Sequence, residues 1–222
     1  MSKVFLNPEL LPIHSVADEA AVPAYRLSAE WLRQRFSEPA EWTPEASDEN
    51  FFSKNLPFRA ASVLIPIVQH QDGLTLLLTE RAAHLHDHPG QISFPGGRFE
   101  EADINPVETA LREAEEEVGL QRSFVDVLGR LPEYRTGTGY QVSPIVALVN
   151  PAFELQSDPT EVAAIFEVPL PFLMDGKNHQ RRIFDLPDGG GQRQFYAMPY
   201  RQHFIWGATA GMLRNLFHFL RA

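Results

Sequence analysis

Residues 94–120 read Phe94-Pro95-Gly96-Gly97-Arg98-Phe99-Glu100-Glu101-Ala102-Asp103-Ile104-Asn105-Pro106-Val107-Glu108-Thr109-Ala110-Leu111-Arg112-Glu113-Ala114-Glu115-Glu116-Glu117-Val118-Gly119-Leu120. The second half of this stretch carries strong helix punctuation. Asn105 can cap, Pro106 suits the first helical position, and Glu108 stands where a capping-box carboxylate reaches back. Gly119 can close the helix in the left-handed conformation. At about 100° per residue Val107, Leu111, Ala114 and Val118 form one stripe, while Glu113, Glu116 and Glu117 gather on another face. The spacing predicts a helix over 106–118 with one face to pack and one that collects negative charge.

That acidic face is unfavourable by itself. Like charges at i,i+3 and i,i+4 repel by roughly 0.2–0.5 kcal/mol per exposed pair. They also sit in the last turns, where the helix dipole disfavours anions. A solvated surface is the plain reading of such a run. A hard dication reverses the local electrostatics, because Mg²⁺ takes carboxylate and phosphate oxygens together. Gly96-Gly97 would let backbone approach a ligand, and Arg112 is placed to orient one of the carboxylates. Together these favour a metal-and-diphosphate site.

The constellation resembles the Nudix box, whose general pattern is Gly, five residues, Glu, seven residues, then Arg-Glu-hydrophobic-any-Glu-Glu-any-Gly-hydrophobic. Here five residues separate Gly97 from Asp103, and eight separate Asp103 from Arg112, so the box has Asp for Glu and one extra residue. The same departure is seen in the coenzyme A pyrophosphatase branch. That branch also has an upstream motif: Leu-Leu-Thr-any-Arg-Ser/Ala, three residues, Arg, three residues, Gly, three residues, Phe-Pro-Gly-Gly. This chain has Leu77-Leu78-Thr79-Glu80-Arg81-Ala82, then Gly90, then Phe94 to Gly97 at matching spacing. His86 replaces the motif's second Arg, and its charge would be partial and pH-dependent. Asp158 to Val162, Phe166 to Leu170 and Ile205 to Ala210 also look like the branch, so the resemblance covers about residues 57–221.

The resemblance implies an α+β Nudix fold, an α/β/α sandwich with a mixed β-sheet between helices. It implies a Mg²⁺- or Mn²⁺-dependent hydrolase that splits coenzyme A or its derivatives into 3′,5′-ADP and a 4′-phosphopantetheine. Glu113, Glu116, Glu117, Glu161 and the Gly96 carbonyl would hold metal. Arg112 would orient, and Glu113 would serve as base, with Glu161 the weaker candidate for that role. Thr79, Arg81, His86, Gly90, Phe94 and Gly97 form the expected substrate-binding set. One rival is a Nudix activity on ADP-ribose, a dinucleotide or a nucleoside triphosphate. The other is a non-catalytic module that binds coenzyme A or a nucleotide, against which the intact Arg112, Glu113, Glu116 and Glu117 speak.

The rest of the chain fits around this centre. At 222 residues and 44% hydrophobic composition it can build one domain with an ample core. The net charge of −10 argues against general affinity for nucleic-acid backbone. It does not bar an anionic small ligand, since salt screens a global field beyond about 8–10 Å. No signal peptide or membrane span is read, and the absence of cysteine excludes disulfides and suits a cytoplasmic protein.

Residues 1–56, broken by prolines, read as an extension, with one amphipathic helix over 27–36 starting at Ser28 and residues 38–50 as a candidate for disorder. Packing across the main domain and a homodimer contact are both open roles for it. The domain proper is read as 57–222. Strands are expected at 61–68, 74–79, 91–94, 124–131, 142–149, 163–168, 181–185 and 194–198, with a second helix at 206–221. Gly189-Gly190-Gly191 is a hairpin turn rather than a phosphate loop, because no Lys-Ser/Thr or helix follows. His84, His86 and His88 alternate, yet with no Cys or fourth His nearby they read as a loop beside the substrate.

Overall fold

The computed structural model describes residues 7–45, 58–85, 88–185 and 191–222. Apart from short 3-10 turns, the elements run β1 (Ile13–Val16), α1 (Ala29–Ser37), β2 (Arg59–His70), β3 (Gly73–Arg81), β4 (Ile92–Ser93), β5 (Gly96–Arg98) and α2 (Pro106–Val118). There follow β6 (Val125–Arg130), β7 (Tyr134–Arg135), β8 (Tyr140–Val149), β9 (Val162–Pro169), α3 (Leu170–Leu173), β10 (Gln180–Asp185), β11 (Gln192–Tyr200), β12 (His203–Trp206) and α4 (Gly207–Arg221).

The near-continuous apolar runs of β2 and β8 pair in parallel from Arg59↔Tyr140 to Val68↔Val149 at the centre of a mixed sheet. Parallel strands read this way when both their faces are covered. The alternation then sorts side chains into two cores. Leu64, Val68, Ile145, Ala147 and Val149 join Ala110, Leu111, Ala114 and Val118 of α2. Ile65, Ile67, Val146 and Leu148 join Leu213, Leu216, Phe217 and Leu220 of α4 on the other face. This is the mixed α+β arrangement, a sheet between helices. A second sheet, β1-β10-β11-β12, was not expected from the sequence.

Two prolines sit inside the central strands. Leu64 donates its N–H to the Pro95 carbonyl, so the nitrogen of Pro66, two residues on, faces the same side. On that side β5 pairs with residues 61–63 and β3 with residues 67–70, leaving Pro66 at the gap between them. There a missing N–H breaks no ladder bond. The gap is where the Phe94–Gly97 turn enters the sheet.

The long strands and the helices α1, α2 and α4 fall where the sequence places them. The strands β1, β5, β7 and β12 were not anticipated, since two to four residues give too little periodicity to read. Residues 7–45 lie across the domain: Val22 and Leu32 enter the α4-side core, and β1 pairs with β10. Of the stretch 38–50, residues 46–50 lie outside the described residues, whereas Glu45 is tied to Tyr196 and Arg214. The antiparallel pair β10–β11 bears out the hairpin, whose turn residues 186–190 also lie outside the described residues. No helix among the described residues is long and apolar enough to cross a membrane.

Candidate active site

The helix α2 forms as its punctuation predicts. The Asn105 side chain accepts from the Val107 and Glu108 N–H groups, Pro106 stands in the first turn, and Gly119 closes the helix at φ 70°. One detail differs. Glu108 does not complete a capping box; its carboxylate meets Arg122 at 3.0 Å instead. The helix is pinned to the sheet at its start, where the Ser62 hydroxyl lies 2.7 Å from the Pro106 carbonyl and 2.9 Å from the Ser143 carbonyl.

Pinning brings the last turns of α2 against β5. Gly96 donates its N–H to the Glu117 carboxylate at 3.1 Å. A Cβ on Gly97 would fall inside the Glu113 carboxylate, and one on Gly96 would strike the Ser62 carbonyl and the Val63 backbone. The two glycines therefore let a strand lie directly on the acidic face. The Glu113 side chain is 14% exposed and Glu117 is buried, while Glu116, at 61%, turns outward.

Arg112 holds this face in order. It grips Asp103 with two parallel bonds, Nε to Oδ1 at 3.0 Å and Nη2 to Oδ2 at 2.9 Å. Its Nη1 donates to Glu113 and Glu116 at 3.0 Å each, and Nη2 also meets the Arg98 carbonyl at 3.1 Å. Asp103 further accepts from the Thr109 hydroxyl and the Glu100 N–H. Asp103 thus anchors Arg112 and is absent from the expected site set. Its signal was in the sequence: a shorter acid in a loop longer by one residue still reaches Arg112. The Arg112 guanidinium holds the Asp103 carboxyl well below the usual carboxylate range, and Asp103 in turn raises the pKa of Arg112.

Glu117 and Glu113 both shift the opposite way to Asp103. Burial pushes the Glu117 carboxyl up to about 8, and the charges of Glu113 and Glu161 add to it, while the Gly96 N–H and Arg81 oppose. Burial also raises Glu113, against the pull of Arg112 and with help from Glu116 and Glu161. The donor set is thus all hard oxygen, with Glu117 buried on the Gly96 N–H and Glu113 on Arg112, and oxygen donors of this kind suit a hard divalent cation. As it stands, no three His, Asp or Glu side chains among the described residues already converge on one point. Arg112 Nη1 gathers Glu113 and Glu116, while Glu117 turns to the Gly96 N–H.

The expected substrate-binding residues separate. Arg81 closes β3 with its charge within reach of Glu117. Gly90, at φ 70°, shapes the turn whose N–H returns to the Arg81 carbonyl at 3.1 Å. Gly97 lies on Glu113. Thr79 and Phe94 are buried, the Thr79 hydroxyl lying 3.3 Å from the Ser93 carbonyl, so both shape the wall from inside. His86 lies outside the described residues. His84 and His88 do not share a strand face: His84 is in a turn and meets the Thr160 carbonyl at 3.1 Å, and His88 has φ 56°.

A family model described as the NUDIX domain matches residues 58–185. An Escherichia coli (strain K12) protein named "Uncharacterized Nudix hydrolase NudL" is 42% identical over 165 residues, covering 73% of this chain and 83% of that protein. Among solved structures, a C. elegans Ap4A hydrolase in a binary complex is 17% identical with a TM-score of 0.43, covering 50% of this chain and 80% of that one. The M. smegmatis Nudix hydrolase RenU is 21% identical with a TM-score of 0.44, covering 52% and 73%.

Proposed function

The chain belongs to the NUDIX family and is a Nudix hydrolase, and from that premise we propose that it cleaves the diphosphate of coenzyme A or its derivatives. The products are 3′,5′-ADP and 4′-phosphopantetheine or its acyl form. The observation that carries this reading is the joining of two motifs in one place. Leu77 to Ala82 and Gly90 hold Arg81 where its charge opposes the rise of the Glu117 pKa, and Phe94 to Gly97 bring bare backbone onto Glu113 and Glu117.

Glu113 and Glu117, with Glu116, the Gly96 carbonyl and Glu161, are the residues that would hold Mg²⁺ or Mn²⁺. When bound, the cation supplies charge neutralisation at the diphosphate and an activated water. Arg112, locked by Asp103, keeps Glu113 and Glu116 oriented. Arg81 offers its guanidinium to a substrate phosphate, a role for which a planar fork is suited. Glu113 takes the proton of the attacking water, with Glu161, exposed just before β9, as the alternative base.

A panel of coenzyme A, ADP-ribose and NADH, each with Mg²⁺ and with Mn²⁺, tests the substrate. Release of 3′,5′-ADP from coenzyme A faster than turnover of the other two is the expected result. Faster cleavage of ADP-ribose or NADH overturns it. Glu117→Gln removes one ligand charge at constant volume, and full metal-dependent turnover in that variant would remove Glu117 from the metal set.

A further inference from the structure

The last carbonyls of α2 have no donor within the helix and must find one outside it. The segment just before β9 supplies them: the Gln156 N–H bonds the Val118 carbonyl at 3.0 Å, and the Asp158 N–H bonds the Glu117 carbonyl at 2.9 Å. Gly119 admits this segment, since a Cβ there would stand 3.1 Å from the Gln156 nitrogen. The chain then reverses over Asp158-Pro159-Thr160-Glu161, with Asp first and Pro second, an order that favours a turn. The Asp158 carbonyl accepts from the Glu161 and Val162 N–H groups at 3.1 and 2.8 Å. Its carboxylate accepts from the Thr160 N–H at 2.8 Å and the Thr160 hydroxyl at 2.7 Å. On the far side the Ala82 N–H meets the Glu161 carbonyl at 2.8 Å, and His84 Nε2 lies 3.1 Å from the Thr160 carbonyl. Asp158 therefore joins the last turn of α2 to the start of β9.

Glu161 is exposed, and among the described residues its carboxylate has no hydrogen-bond or ion-pair partner, so its place is set by the backbone of this turn. Its charge is nevertheless felt at both Glu113 and Glu117, raising each. We infer that Asp158 is a positioning residue: it ties the turn to the Glu117 backbone and so holds the Glu161 carboxylate to the face where Glu113 and Glu117 would hold a cation. The inference rests on the metal-site reading above. It assigns the work to the hydrogen-bonded shape of the turn and none to the charge of Asp158.

The test is a double-substitution cycle of Asp158→Ala and Glu161→Gln, with Asp158→Asn as the conservative control. Mn²⁺ affinity, titrated without substrate, is the first readout. The second is kcat and KM on whichever of coenzyme A, ADP-ribose and NADH the wild type cleaves fastest. Asp158→Ala is expected to lower Mn²⁺ affinity and kcat by about tenfold or more, as loss of an orienting partner does, with KM little changed. Asp158→Asn keeps both near the wild type, because the amide oxygen of asparagine still accepts the two Thr160 bonds. In the Glu161→Gln background Asp158→Ala costs nothing further, the mark of two residues acting as one. Equal losses in both backgrounds would make Asp158 a fold residue only, and Asp158→Asn as damaging as Asp158→Ala would put the effect in its charge. Either result overturns the inference. Weakened Mn²⁺ binding in Glu117→Gln with none in Glu161→Gln keeps the metal-site reading and sinks this one. If Asp158→Ala does not fold, Thr160→Val takes its place in the cycle, since it removes the hydroxyl bond alone.

Discussion

Gly96 and Gly97 are adjacent, but their neighbours differ, and the difference predicts opposite phenotypes. An added methyl at Gly96 meets the Ser62 carbonyl and the Val63 backbone, which cannot yield without parting β2 from β5. Gly96→Ala should therefore destabilise by about 1–3 kcal/mol, the usual cost of overpacking, seen as a lower urea midpoint. At Gly97 the obstacle is the end of the Glu113 side chain, which can swing aside. Gly97→Ala should keep a near-normal midpoint and lose turnover, because Glu113 leaves the place where the proposed site needs it. Asp103 gives a second contrast at this scale. Asp103→Asn keeps the shape but removes the charge facing Arg112, and loss of such an orienting partner typically costs about 10–100-fold in activity or metal affinity. A raised Mg²⁺ requirement with partial recovery in Asp103→Glu is expected. An unchanged metal requirement would return Asp103 to a purely structural role. The carboxylates themselves were legible in the sequence because their spacing fixes a helix face. The division of labour among them was not, since only the pinning of α2 to Ser62 shows that Glu117 turns inward and Glu116 outward.

At the scale of elements, legibility followed length and punctuation. The helix α2 was readable to the residue because a cap, a proline and a left-handed glycine mark both its ends. Of the strands, β2 and β8 were readable as long β-branched runs, although each contains a proline that argues against a central strand. Position in the sheet overrides that objection at Pro66, and no single sequence shows where a neighbouring strand will stop. The three-residue β5 was invisible for the complementary reason: Gly-Gly-Arg has no strand propensity and exists only because β2 offers an edge. The helix α1 was legible from its Ser28 cap, but its partner was not. Its Leu32 is fully buried in the α4-side core, and Arg35 donates Nε and Nη2 to the Phe219 carbonyl at 2.9 and 2.7 Å. Leu32→Ala should thus cost about 2–5 kcal/mol, as for other buried leucines, and lower the thermal midpoint of the whole domain. Loss of the α1 signal alone, with the remaining domain melting as before, would mean that the extension is only loosely attached.

Across the whole molecule, one buried cation ties the extension to the C-terminal helix. Arg214 is 1% exposed and pairs with both oxygens of Glu19 at 2.8 Å, with Glu45 at 2.7 Å through Nε, and with the His179 Nδ1 at 3.0 Å. The His179 Nε2 lies 2.8 Å from the Leu173 carbonyl, so the network assigns a neutral ring that donates from Nε2 and accepts from Arg214 at Nδ1. Burial lowers the His179 pKa to about 4, with the Arg214 charge adding to that and the Leu173 carbonyl opposing. For Glu45 burial alone would raise the pKa, but bonds from His218 and Tyr196 and the Arg214 charge bring it down to about 2. Both shifts have the same sign in stability. A histidine kept neutral in the fold contributes above its unfolded pKa of about 6.5 and loses that contribution as pH falls toward 4. A carboxylate kept ionised loses its contribution as pH falls from the unfolded value of about 4.5 toward 2. Each is worth about 3 kcal/mol at most, and because both act on Arg214 they do not add. Glu117 runs the other way, since its raised pKa costs stability as pH rises from about 4.5 to 8. The difference between wild type and His179→Gln cancels that term. We expect the wild type to lose more stability than His179→Gln between pH 6.5 and 4, by up to about 3 kcal/mol in urea titrations at stepped pH. Parallel stability curves for the two proteins across that window would show that acid does not enter the fold through this histidine.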